Sequence, residues 1–310
     1  MGNTFYFDWE IKLMEGLQAH MSPALEKLAS AVTFMGTENA LVLLLGFLLW
    51  CYDKERGRRF GVCMMLGLVW FAYIKNIFIR RRPYFDNPSI KCLTPVDKNA
   101  DIYSIKDQGF SFPSGHTTNS TIGYGSLTFY YKNKIVRVLG VVLPLLIGIS
   151  RFAVGVHYPT DVIAGWALGL LFIFGTDYMF NHVKRLGTAY LIIFLISATG
   201  CFFADTTDYY TGIGMMGGFF LADLYEEKYV KSENASNVRE YVLRLACGCA
   251  LFAALNAGLK LPFSKEFLES ATPLCFMVRA IRYGVTVFII CGLYPKLFPY
   301  FKKKTTKANA

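Results

Sequence analysis

Apolar runs recur along the whole chain and are separated by short polar segments. A helix needs about 20 apolar residues to cross a bilayer. The runs predict about nine transmembrane helices, at residues 31–52, 60–79, 114–131, 135–152, 159–180, 186–204, 212–230, 241–259 and 273–298. The connection at 80–112 is long and polar. The pattern therefore predicts an all-α, polytopic transmembrane helical bundle.

The amino-terminal segment has a different pattern. Apolar and charged residues alternate at helical spacing over residues 5–28, and one stripe contains Trp9, Leu13, Leu17 and Met21. Such a pattern is typical of an amphipathic helix that lies in the membrane surface. We therefore expect an N-terminal interfacial helix before the first span.

Composition and charge agree with a membrane protein. Apolar residues make up 54% of the 310 residues and charged residues only 17%, whereas soluble domains carry roughly 25% charged residues. The net charge of +10 could indicate nucleic-acid binding, but basic cytoplasmic loops explain it better in a membrane protein. No nucleic-acid partner is expected. The eight cysteines show neither zinc spacing nor a disulfide framework.

The distribution of Lys and Arg predicts the orientation. The loops on one side of the predicted membrane hold 18 of these residues and the loops on the other side hold 11. Because cytoplasmic loops are richer in Lys and Arg, the basic tail from Lys296 is predicted to be cytoplasmic. The amino terminus and the loop at 80–112 are predicted to lie outside.

Three cations are placed where they could hold a phosphate. Lys75 and Arg82 are seven residues apart, about two helical turns, on one face of the second span and its outer end. Arg151 lies at the outer end of another span. Arg suits bidentate contact with phosphate oxygens, and a lysine within an apolar run is costly and usually functional. Arg80 and Arg81 are interpreted as interfacial anchors.

The segment Pro113-Ser114-Gly115-His116 predicts the capped start of a helix. Exposed amide groups and the helix dipole favour an anion at such a start, and Gly115 lets the backbone approach a ligand closely. His116 could protonate a leaving oxygen. The alternative is an ordinary capped turn with an interfacial histidine.

His157 and Asp161 are four residues apart, and a helix is predicted to begin at Pro159. A carboxylate in that first turn can accept a hydrogen bond from one ring nitrogen, which fixes the tautomer and leaves the other nitrogen free to attack. The alternative is an aspartate that interacts favourably with the helix dipole. The two interpretations are compatible.

Together these blocks resemble the type 2 phosphatidic acid phosphatase superfamily, also called the lipid phosphate phosphatase and vanadium haloperoxidase superfamily. Its pattern is K-x6-RP, then PSGH, then SR-x5-H-x3-D, and all eleven fixed positions occur in order between residues 75 and 161. The resemblance to its membrane branch implies a six-helix phosphatase core. We place that core at 31–204 of a single membrane domain, 1–310, with additional transmembrane helices and the basic tail at 205–310.

The resemblance also implies the roles of the site residues. His157 would be the nucleophile that forms a phosphohistidine, Asp161 would orient it, and His116 would be the general acid that later assists water. The phosphate oxygens would be held by Lys75, Arg82, Ser114, Gly115 and Arg151. No metal and no other cofactor is implied.

The predicted function is a metal-independent integral membrane phosphatase acting on a lipid phosphate or pyrophosphate at the outer membrane face. Polyprenyl pyrophosphate, phosphatidate, phosphatidylglycerol phosphate, a sphingoid-base phosphate and a soluble phosphate ester all stay open. The alternatives are a phosphotransferase with a lipid acceptor and a non-catalytic transporter or flippase with a relic motif. The expected partners are the lipid substrate and membrane lipids, in a bacterial plasma membrane, and the oligomeric state is open.

Arg279 and Arg282 stand three residues apart in the last apolar run, so they share a helix face. Charge at that depth must be paired or face a cavity. The preferred interpretation is a structural ion pair with Asp205, Asp208 or Glu38. The alternative is a second basic wall near the substrate.

Overall fold

The computed structural model describes residues 2–302. Helices account for the regular structure of this part of the chain, apart from one isolated backbone bridge between Asn3 and Arg80. The main helices are α1 (Asp8–Ala19), α2 (Pro23–Met35), α3 (Glu38–Phe47, continued by Leu48–Tyr52), α4 (Lys54–Phe78), α5 (Gly115–Ser120, continued by Thr121–Gly125 and Ser126–Tyr130), α6 (Lys134–Ala153), α7 (Pro159–His182), α8 (Leu186–Ala198, continued by Thr199–Phe202), α9 (Thr207–Tyr225, continued by Glu226–Val230), α10 (Val238–Gly258) and α11 (Pro273–Phe288, continued to Phe301).

Six helical segments in the described residues are long and apolar enough to cross a membrane. They are Pro23–Tyr52, Lys54–Phe78, Lys134–Ala153, Pro159–His182, Val238–Gly258 and Pro273–Phe301. Leu186–Phe202 is a shorter apolar helix. The predicted spans at 114–131 and 212–230 are helical too, but they are not among the six. The chain is an all-α integral membrane protein, and its number of spans stays a prediction.

The amino-terminal segment differs from the single helix predicted for residues 5–28. It forms two helices, α1 and α2, because Ser22 caps a new helix start and Pro23 occupies the first helical position. On α1 the predicted stripe residues Trp9 and Leu13 are exposed, while Glu10 and Met14 are fully buried. The buried face of α1 thus carries a carboxylate.

Helix α9 packs against both α4 and α11. A methyl group placed on Gly212 would lie 3.1 Å from the backbone of Leu68 on α4, and one on Gly214 would clash with the backbone of Ala280 on α11. The small side chains at these positions therefore let α9 pack closely against both neighbours.

An ion network joins α4 to α9 at the end of the bundle where α4 begins. Arg58 donates to both carboxylate oxygens of Asp223, at 2.6 Å and 3.0 Å, and to Glu227 at 2.7 Å. The Tyr190 hydroxyl donates to Asp223 at 2.9 Å. Every charged group in this network therefore has an opposite charge beside it.

Candidate active site

The motif residues meet at the other end of the bundle, where α4 and α6 end and α5 and α7 begin. We call this the motif end. Lys75 lies in the last turn of α4, and Arg151 lies in the last turn of α6. His116 lies in the first turn of α5, and Asp161 lies in the first turn of α7. The three blocks, which are separated in sequence, thus face one another.

The route of the chain after α4 explains which of three consecutive arginines point inward. α4 ends at Phe78 because Ile79 adopts a left-handed conformation, with φ of 43°. The next residues are extended, so side chains alternate between the two sides of the backbone. Arg80 and Arg82 are buried, at 1% and 2% exposure, while Arg81 is partly exposed and pairs with Asp86. Arg82 therefore reaches the site from an extended segment and not from the helix.

The prediction that Arg80 is an interfacial anchor is wrong. Its guanidinium donates to Asp161 Oδ1 at 2.6 Å, to Thr160 Oγ1 at 2.8 Å and to Glu10 Oε2 at 3.1 Å. The other oxygen of Glu10 accepts from the Thr160 backbone at 3.0 Å and its hydroxyl at 2.7 Å. Arg80 therefore links α1 to the carboxylate expected to orient His157. Sequence alone offers no signal that separates Arg80 from Arg81.

Asp161 contacts His157 as its position in the first turn of α7 predicts. Nδ1 of His157 lies 3.4 Å from Asp161 Oδ2, which also accepts from the Tyr158 backbone at 2.8 Å. The second contact is the shorter one, so Asp161 both caps α7 and faces the imidazole. Both sequence interpretations of this aspartate fit its contacts.

Nε2 of His157 points away from Asp161 and lies 3.5 Å from an Arg82 Nη atom. Burial lowers the pKa of His157 well below its ordinary value, and the positive charges of Arg82 and Arg151 lower it further. The imidazole is consequently neutral near pH 7. A neutral ring whose Nδ1 faces a carboxylate has Nε2 available as a nucleophile.

Arg82 also organises the backbone around the site. It donates to the carbonyl oxygens of Gln108 at 2.9 Å, Val156 at 2.8 Å and Phe110 at 3.4 Å. Nε also lies 3.1 Å from the Gly109 carbonyl oxygen, and the Nη atom that donates to Val156 is the one that faces Nε2 of His157. A guanidinium has five N–H donors, so one N–H of the other terminal nitrogen has no partner among residues 2–302. Arg82 can hold the loop before α5 and still donate to a ligand.

Ser114 is the N-cap of α5 and is fully buried. Its oxygen accepts from the Thr117 hydroxyl at 2.8 Å, and its backbone N–H donates to the Asp161 carbonyl at 3.0 Å. Since Ser114 Oγ acts as an acceptor, its own proton is free for another acceptor. At Gly115 a methyl group would lie only 3.3 Å from the Phe71 ring. This packing explains glycine at the position and brings α4 against the start of α5.

Two cations in the site have no carboxylate beside them. Arg151 is 2% exposed, and its Nε has no hydrogen-bond partner in residues 2–302. Lys75 Nζ lies 5.3 Å from the centre of the Phe71 ring, and no Asp or Glu of the described chain is within 4 Å of it. The positive charges of Arg151 and Lys75 both act on His116. A buried cluster of this sign is suited to bind an anion.

Arg279 and Arg282 do not form the predicted structural ion pair. No carboxylate within the described part of the chain lies within 4 Å of either guanidinium. Arg279 lines a cavity together with Glu38 and Asp208, two of the predicted partners. Arg282 is 8% exposed, and its Nε is without a hydrogen bond among the described residues. The two arginines therefore have different surroundings.

Comparison with known proteins decides the family. Residues 56–185 match the PAP2 superfamily, and residues 210–306 match the PAP2 superfamily phosphatase transmembrane extension. Phosphatidylglycerophosphatase B of Bacillus subtilis is 34% identical over 180 residues, which are 53% of this chain and 79% of that protein. This chain belongs to the PAP2 superfamily. The resemblance inferred from the three motif blocks is confirmed.

Other PAP2 relatives match shorter segments. An undecaprenyl-diphosphatase of Sulfolobus acidocaldarius is 32% identical over 121 residues, 37% of this chain and 52% of that protein. A lipid A 1-phosphatase of Rhizobium johnstonii is 41% identical over 70 residues, 23% of this chain and 28% of that protein. The crystal structure of a transmembrane PAP2-type phosphatidylglycerolphosphate phosphatase from Bacillus subtilis covers 58% of this chain and 90% of its own, with 24% identity and a TM-score of 0.45.

Proposed function

We propose that this PAP2 protein is a membrane phosphatase that hydrolyses a lipid phosphate or pyrophosphate through a phosphohistidine at His157. The observation that carries the proposal is the motif end itself, where a buried neutral histidine stands among cations that lack carboxylate partners. The relatives named above are a phosphatidylglycerophosphatase, an undecaprenyl-diphosphatase and a lipid A phosphatase. Their names support a lipid phosphate as the substrate class.

In the first step Nε2 of His157 attacks phosphorus. A phosphorus–nitrogen bond forms and the bond from phosphorus to the leaving oxygen breaks. His116, which is protonated once the bound phosphate anion offsets the surrounding positive charge, gives its proton to that oxygen. Asp161 accepts the hydrogen bond of the Nδ1 proton and stabilises the positive ring. The products of this step are the dephosphorylated lipid and the phosphoenzyme.

In the second step water attacks the phosphohistidine. His116, now neutral, accepts a proton from that water, the phosphorus–nitrogen bond breaks, and inorganic phosphate leaves with His157 neutral again. The charge that develops on the phosphoryl oxygens is stabilised by Lys75, Arg151, the guanidinium of Arg82, the Ser114 hydroxyl and the Gly115 amide.

The membrane face and the organisation of the chain are also part of the proposal. The excess of Lys and Arg in one set of loops supports an extracytoplasmic motif end and a cytoplasmic basic tail. The last residues of that tail, 303–310, lie outside the described residues. We propose a bacterial plasma membrane as the location, with 31–204 as the phosphatase core and 205–310 as the extension.

A histidine comparison tests the function. His157→Ala should abolish phosphate release from lipid phosphates in detergent and abolish a trapped phosphoenzyme. His116→Ala should reduce release by about 10²–10⁴-fold, with a smaller loss for esters with good leaving groups. His182→Ala is the matched control, because His182 is exposed at the far end of α7. Wild-type turnover in His157→Ala would contradict the role of His157, whereas no phosphate release by the wild type would favour the transporter alternative.

Inhibition tests the proposed source of positive charge. Because protein cations surround the phosphate in this mechanism, we expect EDTA to leave turnover unchanged. Vanadate, which mimics pentacoordinate phosphorus, should inhibit. A chelated protein that recovers activity only with added magnesium would contradict the mechanism.

A further inference from the structure

Two cavities lie one below the other between the core helices α3 and α4 and the extension helices α9 and α11. The first has a volume of about 200 Å³ and a polar lining that includes Glu38, Asp208 and Arg279. The second has a volume of about 310 Å³ and an almost wholly apolar lining, to which α10 contributes Leu245 and Phe252. Met215 lines both cavities, so they are neighbours along α9.

Three helices change from polar to apolar along the face that they turn to these cavities. The residues on each face are spaced three or four apart, as one side of a helix requires. They are Glu38, Val42, Leu45 and Leu49 on α3, Asp208, Thr211, Met215 and Phe219 on α9, and Arg279, Tyr283, Val287 and Ile290 on α11. The two cavities therefore form one groove with a polar end and an apolar end, which we call the seam groove.

The polar end of the seam groove adjoins the candidate active site. Phe71 lines the polar cavity, and the same ring packs against Gly115 and lies 5.3 Å from Lys75 Nζ. The bend between α2 and α3 also adjoins the candidate active site, since a methyl group on Gly36 would lie 3.3 Å from the His116 carbonyl oxygen. Phe71 thus contacts both the polar cavity and two of the proposed phosphate-binding residues.

The length of the seam groove fits one leaflet of a membrane. From Glu38 to Leu49 the helix rises about 16 Å, at about 1.5 Å per residue. The hydrocarbon core of a bilayer is about 30 Å thick, so half of it is close to that distance. A lipid chain that starts beside Lys75 would consequently end near Leu49.

We propose that the seam groove binds the lipid substrate lengthwise, with the group next to the phosphate in the polar cavity and one hydrocarbon chain in the apolar cavity. The inference rests on the proposed phosphatase function. Carboxylate acceptors at Glu38 and Asp208 and the donor at Arg279 suit a linking group that carries hydroxyls. The ligand class is therefore a hydroxylated amphiphile with a phosphate at one end.

The apolar cavity of the seam groove is expected to contribute more to selectivity among lipids than to affinity. Membrane lipid is as apolar as a leucine side chain, so moving a chain from lipid into the groove gains little hydrophobic free energy. A pocket of fixed depth nevertheless discriminates between chains that fill it and chains that do not. Chain length is the property to vary.

A pair of cysteines on α10 provides matched variants. Cys249 lines the apolar cavity and Cys247, two residues away, does not. Both side chains are exposed to solvent or lipid, so a larger side chain is tolerated at either. Cys249→Phe fills the apolar cavity, and Cys247→Phe adds the same bulk to the outside of the same helix. Val42→Phe fills the cavity from α3 and serves if Cys249→Phe does not fold.

The experiment measures kcat/KM for two lipid phosphates with one head group, a long-chain and a short-chain form. Cys249→Phe should lower the long-chain to short-chain ratio about tenfold, the size of a missing or blocked contact in an apolar pocket. Cys247→Phe should keep the wild-type ratio. If Cys249→Phe folds and is active but keeps the wild-type ratio, the proposal is overturned. An equal decrease in kcat/KM for both lipid phosphates is such an outcome, since it leaves the ratio unchanged.

A binding measurement separates failure of the groove from failure of the phosphatase function. A long-chain lipid phosphate with a photoreactive group at the chain end is added to the wild type and to His157→Ala. Labelling within 245–252 or 287–291 in both proteins supports the groove. Labelling outside these two segments overturns the proposed groove, even if hydrolysis is confirmed. Labelling within them, with no hydrolysis by the wild type, overturns only the phosphatase function.

Discussion

The two ends of the helical bundle hold buried arginines in opposite electrostatic settings, Arg58 on α4 at one end and Arg151 on α6 at the other. At the opposite end from the motifs, Arg58 is 7% exposed and contacts the carboxylates of Asp223 and Glu227. At the motif end, Arg151 is 2% exposed, and its Nε has no hydrogen-bond partner within residues 2–302. In the first arrangement the buried cation is paired with carboxylates, and in the second it is not.

This difference indicates whether a buried cation has a structural role or a ligand-binding role. A buried charge without a partner is unfavourable and persists where a ligand supplies the missing charge. A buried pair, by contrast, contributes little net stability, but removing one partner leaves the other uncompensated. Arg58 is therefore expected to matter for stability, and Arg151 for binding and turnover.

Breaking the ion network should give the largest effect on stability. Arg58→Ala leaves Asp223 buried without its cation, so we expect a loss of about 3–5 kcal/mol in the free energy of unfolding, measured by denaturation in detergent. The double variant Arg58→Leu/Asp223→Leu, which removes both charges, should recover most of that loss in stability. The control is Lys265→Ala, which removes an exposed pair with Glu269 and should change stability by about 0–1 kcal/mol.

At the motif end the expectation is reversed. Arg151→Ala should lower kcat/KM by about 10²–10³-fold, because it removes a group that stabilises charge on the phosphoryl oxygens. Its melting temperature should equal or exceed that of the wild type, since an unpaired buried charge is lost. A folded Arg151→Ala enzyme with normal kcat/KM and a lower melting temperature would invalidate the comparison.

The neighbouring arginines 80 and 81 sharpen the comparison within the motif end. Arg80→Gln loosens Asp161 and with it the ring of His157, so kcat should fall by about 10²-fold, the size of a misplacement near 1 Å. Inhibition by vanadate should change less than kcat, because the phosphate-holding cations stay. Arg81→Gln, at a partly exposed pair with Asp86, should retain wild-type kcat. Equal losses in the two variants would show that Arg80 has no positioning role.

The smallest effect concerns pH. His157 is neutral in the folded protein because its pKa lies well below the ordinary value, while in the unfolded chain it takes up a proton below about pH 6.5. Its contribution to stability is therefore fully present above about pH 6.5 and decreases as the pH falls. His157→Gln removes this contribution, so the wild type should lose up to about 1.4 kcal/mol per pH unit relative to the variant below pH 6. Melting curves of both proteins from pH 5 to 8 test this, and a constant difference would contradict it.

Several features of the fold and site were predictable because they depend on residues that lie close together in the sequence. Apolar runs of about 20 residues identified the helical class, and Pro159 with Asp161 located the start of α7. The reaction dictates residue types at fixed separations, so the motif blocks could be found without a structure. The break between α1 and α2 was also readable, from Ser22 and Pro23, although the helical alternation concealed it.

Contacts between distant residues were not predictable in this way. Glu10 and Arg80 are 70 residues apart, and Arg58 and Asp223 are 165 residues apart. Nothing in the sequence pairs them, since many charged residues could serve as partners. The predicted ion pair of Arg279 was wrong for the same reason.

The sequence by itself determined the membrane class and the eleven motif positions. The tertiary structure decided which cations are paired, which arginine reaches Asp161, and how the polar ends of α3, α9 and α11 meet beside Lys75. The physical reason is that spacing along a helix fixes which side chains share a face. Which faces meet depends on how the helices pack across the whole chain.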